Sequence, residues 1–123
     1  MKTSNYSHLT TPDLIKEFVH LAKTRGLAIV DFETRRANRM FDRMRDIDLI
    51  LRSRGIEARM SLAPLLADSD RFVRYYAAKY LLGLVPGEAR AVIEEIAKYK
   101  YDALCGDAGM CLYALDAGIF KPD

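Results

Sequence analysis

The chain has 123 residues, half of them hydrophobic, with 19 basic against 17 acidic side chains and a formal net charge of +2. That is enough for one domain with a real core and too little for two. The near balance of charge excludes a dedicated, strongly basic nucleic-acid binder, although local clusters of arginine can still matter.

The first residues, "MKTSNYSHLTTPD", hold no apolar segment of a secretory signal. Residues 1–11 are expected to be loose. Thr11 then suits an N-cap, Pro12 the first helical position and Asp13 the positive end of a helix. Leu14, Phe18, Leu21 and Ala22 follow at helical spacing, and Gly26 is placed to end this helix in a left-handed cap. "LAIVDF", residues 27–32, is the one β-like run, and it has no partner run to pair with. A second long helix starts near Asp31 and ends at Gly55. Its apolar stripe is Ala37, Met40, Met44, Ile47 and Leu51, at intervals of three and four.

Shorter helices follow: Ile56 to about Leu66, Asp70 to Leu84, Pro86 to about Lys98, and Leu104 to Asp116, with Gly118 as cap. The loops between them are short, which makes sequential helices antiparallel neighbours. No run approaches the ~20 apolar residues of a membrane helix. Cys105 and Cys111 fit no metal-ligand spacing. On one helix they would point about 240° apart and could not pair, which suits a cytoplasmic chain.

Two helix pairs read as a repeat. Laid residue on residue, Glu57-Ala58-Arg59 meets Glu88-Ala89-Arg90, Leu62 meets Ile93 and Leu65 meets Ile96. Further on, Val73 meets Leu104, Ala77 meets Ala108, Leu81 meets Leu112 and Gly87 meets Gly118. A helix pair of this size cannot bury its own apolar stripe and must stack on a neighbour, with about three layers usually required. The expected layout is one domain over residues 1–123: a long helix pair at 12–55, a repeat at 56–86 and a second at 87–118.

"APLLADSDRFVRYYAAKYLLGLVP" resembles a HEAT-type repeat, carried by Leu65, Leu66, Asp68, Val73, Arg74, Ala77, Ala78 and Leu81. The second unit departs from it, with Cys105 in place of the arginine and Gly109 in place of the second alanine. The resemblance implies an all-α, α-α superhelical (armadillo-type) stack of about three antiparallel helix pairs. In length and layout the whole chain also resembles a small bacterial family, domain of unknown function two-thousand-nineteen, which implies an α-helical protein and carries no functional residues.

The wheel of the fourth helix puts Val73, Tyr76, Ala77, Tyr80, Leu81 and Leu84 on one side. Arg74 is expected to bond the preceding turn through Asp68 or Asp70. Arg71, Tyr75 and Lys79 are left to point outward, lining a face with Tyr99 and Tyr101. On that reading Tyr75→Ala costs about 0.5 kcal/mol or less.

No phosphate loop, HExxH or CxxC pair occurs. His8 and His20 suit solvated positions better than catalytic ones. Glu94 and Glu95 diverge by about 100° on a helix and make a poor acid–base pair. Asp42 and Asp46 share a face, but it alternates with arginine. No cofactor or metal is expected, and the chain is not expected to be an enzyme. The best candidate surface is the stripe Arg35, Arg39 and Arg43, with Arg36 beside it. Its bland alternative is a charged face paired with Glu33, Asp42 and Asp46. The expected function is a non-enzymatic protein–protein interaction or regulatory module. The alternative is nucleic-acid binding through the arginine stripe and the exposed tyrosines. HEAT-like scaffolds that excise bases typically use tryptophan at the DNA face, and this chain has none.

Overall fold

The computed structural model describes residues 5–100 and 103–123. Among them the regular structure is all helical: α1 (Thr11–Val30), α2 (Thr34–Arg54), α3 (Ile56–Met60), a 3-10 turn (Ala63–Ala67), α4 (Arg71–Leu81), α5 (Pro86–Ala97) and α6 (Cys105–Asp116). Two compact units result, one ending at Leu62 and one starting at Ala63. Each is built by helix-pair packing of the α-α superhelical class.

In the first unit, α1 and α2 form a long hairpin. Leu14, Phe18, Leu21 and Ala22 of α1 and Met44, Ile47 and Leu51 of α2 are all buried, as their spacing requires. The cap sits one residue earlier than expected: the Thr10 hydroxyl accepts the Asp13 N–H at 3.2 Å. The stretch before it is anchored. Tyr6 donates to Glu17 at 3.1 Å, and Arg54 donates to the Ser7 and Leu9 carbonyls at 3.0 and 2.6 Å.

The first helix does not end at Gly26, which is buried within it. "LAIV" continues the helix for another turn, since a β-like run with no partner strand loses nothing by staying helical. Termination falls instead at Phe32, with φ +59. The Glu33 N–H bonds the Ala28 carbonyl at 2.8 Å and the Phe32 N–H bonds the Ile29 carbonyl at 3.1 Å. This is a Schellman cap with a phenylalanine where glycine is usual.

The helix expected over Ile56 to Leu66 is divided. A helix α3 packs on α2, and the separate 3-10 turn packs on α4. Pro64 accounts for the break: it has no N–H to give to the Met60 carbonyl, so α3 cannot run on through it.

In the second unit, Asp70 caps α4 by accepting the Phe72 and Val73 N–H groups at 2.8 and 3.1 Å. Arg74 secures the same turn as expected, but through backbone. It donates to the Asp68 and Ser69 carbonyls at 2.7 and 3.2 Å, while the Asp68 carboxylate accepts the Asp70 N–H at 2.9 Å. Both carboxylates are thus occupied by the turn itself. Val73 and Leu104 are fully buried, as are Ala77 and Ala108, and Ile93 and Ile96 complete the core with Leu81. The matched pairs diverge elsewhere. Arg59 is buried while its counterpart Arg90 is half-exposed, and Leu81 is buried while Leu112 is only half so.

Candidate interaction surface

Helix α2 is capped at its start by no side chain and carries no acid in its first turn. Arg35 and Arg36 occupy that first turn, where the helix dipole is already positive and a cation is disfavoured, and Arg39 and Arg43 follow one and two turns further on. Arg35, Arg39 and Arg43 repeat once per turn, and like charges at that spacing repel. Three of the nearby carboxylates are committed elsewhere, and Asp46, three residues from Arg43, is not among them. Glu33 holds Arg36 at 3.0 Å, Asp42 holds Arg45 at 3.6 Å and Asp48 holds Arg52 at 2.8 Å. Among the described residues no carboxylate pairs with Arg35, Arg39 or Arg43. Arg35 and Arg39 are exposed and Arg43 is half-buried. Of the paired face that the sequence allowed, Glu33 does close on Arg36, while Asp42 turns to Arg45. A row of three cations stands beside three closed pairs.

The same end of the hairpin exposes apolar residues. Phe32 is 91% exposed, with Val30 at 64% and Leu27 at 63%. A bulky residue at positive φ is strained, and this ring gains little packing within the chain in return. A cleft of about 230 Å³ lies beside it, lined by Arg25, Ile29, Phe32, Thr34 and Asn38. Arg25 is fixed there, donating to the Ala37 carbonyl at 2.7 Å with its guanidinium 5.1 Å from the Phe41 ring centre. Sequence reasoning passed over Phe32, but a signal was present. Four consecutive apolar residues, Leu27 to Val30, cannot all face one side of a helix.

The second candidate face does not hold together. Tyr75, expected to point outward, is 1% exposed. Its ring meets that of Tyr76 edge-on, with centres 5.1 Å apart and planes at 73°. The reason is the position of α4. Phe72, Val73, Tyr75, Tyr76, Ala77, Ala78 and Leu81 are buried around most of its girth, so the helix has no single outward side. Arg71 is exposed, while Lys79 is half-buried and lines a cleft with Tyr75. Tyr99 is exposed just beyond α5, and Tyr101 lies outside the described residues. The arginine row belongs to the first unit, and Arg71, Tyr75, Lys79 and Tyr99 to the second.

A third cluster joins α5 to α6. Arg90 grips Asp116 through two bonds, 2.9 and 3.1 Å, and Glu94 through one of 3.0 Å. The Arg90 guanidinium holds the Asp116 carboxyl below its ordinary range. A depressed carboxylate adds stability above its unfolded pKa and loses it as pH falls through the folded value. An NMR titration should place the Asp116 midpoint below that of a free aspartate, and Arg90→Gln should return it to normal. An unchanged midpoint in that variant would show that the bidentate pair does not persist in solution.

These features define an all-α protein of antiparallel helix pairs with an arginine row at one hairpin end. The chain belongs to the family described as Domain of unknown function (DUF2019), which matches residues 12–116. It is similar to the protein RPA1889 from Rhodopseudomonas palustris CGA009, known from a crystal structure. The two are 35% identical, with a TM-score of 0.91 over 98% of this chain and 99% of that one. No curated protein matches the chain. No described helix is long and apolar enough to cross a membrane.

Proposed function

We propose that the chain is a non-enzymatic protein–protein interaction module of HEAT-like type, acting in the bacterial cytoplasm. Its partner presents carboxylates to Arg35, Arg39 and Arg43. The observation that carries this reading is the row of arginines without a carboxylate partner among the described residues, beginning at a helix end where the charge of Arg35 is disfavoured. A docked acidic segment would relieve both the mutual repulsion and the conflict with the dipole. Phe32 supplies an aromatic anchor at the same end, the residue type that concentrates binding energy at interfaces. The Arg74-bonded turn and the fully buried Ala77 and Ala78 support the HEAT-like assignment. The free thiols of Cys105 and Cys111 suit a reducing compartment.

Nucleic-acid binding is weakened by the burial of Tyr75, because single-strand binders stack bases on exposed rings. A direct comparison uses a poly-glutamate peptide and a single-stranded oligonucleotide of equal charge, at about 0.15 M salt. The protein should bind poly-glutamate more tightly. Changing Arg35, Arg39 and Arg43 together to Gln should weaken that binding about tenfold or more. Arg45→Gln, which removes an arginine already paired with Asp42, should leave it unchanged. Tighter binding of the oligonucleotide, abolished by the triple change, would put nucleic acid first.

A further inference from the structure

The turn between α1 and α2 holds a residue that its backbone disfavours. Among the described residues Phe32 is the one non-glycine at positive φ. The others in that region are Gly55 and Gly118, which enter it without steric cost. A β-carbon there works against folding. The ring does not offset that cost by packing, since it is 91% exposed. Strain without a structural return collects at functional positions.

The ring forms one wall of the cleft of about 230 Å³, with Ala28 and Ile29 of α1 and Ala37 of α2 as its apolar lining. That volume lies below the ~300 Å³ at which pockets for drug-sized ligands begin, and suits a single side chain. Thr34 and Asn38, also in the lining, precede Arg35 and Arg39 by one residue. The cleft and the arginine row are therefore adjoining stripes of α2, about 100° apart over the same two turns. Leu27 and Val30, exposed at 63% and 64%, add apolar surface to the last turn of α1.

We propose that Phe32 and this cleft receive one large apolar side chain of the partner, which is thus an acidic segment with a leucine-type residue among its carboxylates. The inference rests on the acidic-partner reading and adds the apolar contact that sets register. Carboxylates can slide along a row of cations, whereas the cleft seats one position only. Removing the ring also relieves the backbone, so stability and binding move in opposite directions at this residue.

The experiment titrates the full chain with two glutamate peptides of equal length, one all glutamate and one with leucine at its centre, at about 0.15 M salt. The leucine peptide should bind about tenfold tighter, although it carries one charge fewer, the factor expected from burying much of a leucine side chain. Phe32→Gly should remove that gain, leave the all-glutamate affinity little changed and raise the urea midpoint. Phe32→Asn, the other residue type that tolerates this region, should do the same. Changing Arg35, Arg39 and Arg43 together to Gln should weaken both peptides. Equal affinities for the two peptides overturn the inference, as does a leucine gain that survives both Phe32 substitutions. In either case the acidic-partner reading still stands on its arginine dependence. A lower urea midpoint in both Phe32 variants also overturns the inference, because the ring would then be supporting the hairpin. Binding that the triple change leaves intact overturns the acidic-partner reading and this inference with it.

Discussion

Tyr75→Ala is expected to destabilise the protein by about 3–5 kcal/mol, the cost of truncating a large aromatic in a packed interior. The ring is 1% exposed and meets Tyr76 edge-on at 5.1 Å. The substitution removes both the buried area and the edge-to-face contact, and leaves a cavity between α4 and the cleft wall. The wheel of the isolated helix gives the opposite expectation, a loss of about 0.5 kcal/mol or less, typical of a surface site. The two values differ enough for urea unfolding to separate them. A loss below about 1 kcal/mol would mean that Tyr75 turns outward in solution.

Leu81→Ala should cost about 2–5 kcal/mol, whereas Leu112→Ala should cost about 1 kcal/mol. The repeat places these leucines at equivalent positions, yet Leu81 is fully buried and Leu112 only half so. Helix α4 has neighbours around most of its girth; α6 buries only Ala108 and Cys111 among its residues. Equal losses in denaturant unfolding would show that α6 is packed as tightly as α4. Their inequality would mark α6 as less tightly packed than α4.

The arginine stripe, the best candidate surface in the sequence, stands without the tyrosine face that was expected to accompany it in nucleic-acid binding. The tyrosine face is lost because Tyr75 is a core residue. Arg36 belongs to the hairpin end, but Glu33 neutralises it at 3.0 Å.

The sequence by itself determined the helical class, the cap at Gly118, the start of α5 at Pro86 and the end of α2 at Gly55. It also determined most of the core of both long helices. These depend on local chemistry: side-chain oxygens that accept orphan N–H groups, residues suited to one backbone region, and apolar spacing that only one period satisfies. The family resemblance followed from that same layout. The arginine stripe was legible too, because its spacing is local.

Three things were decided only by tertiary structure. Helix α1 runs past Gly26 to Val30 because glycine permits a left-handed cap without requiring one, and Phe32 takes that role at the hairpin turn. Which acid pairs with which arginine is set by competition among side chains, so Glu33 and Asp42 close on Arg36 and Arg45 and leave the stripe open. The burial of Tyr75 depends on how many neighbours surround α4. A helical wheel shows the directions in which side chains leave the axis. It cannot show that the 3-10 turn and α5 pack against α4, or that side chains around most of its girth are buried.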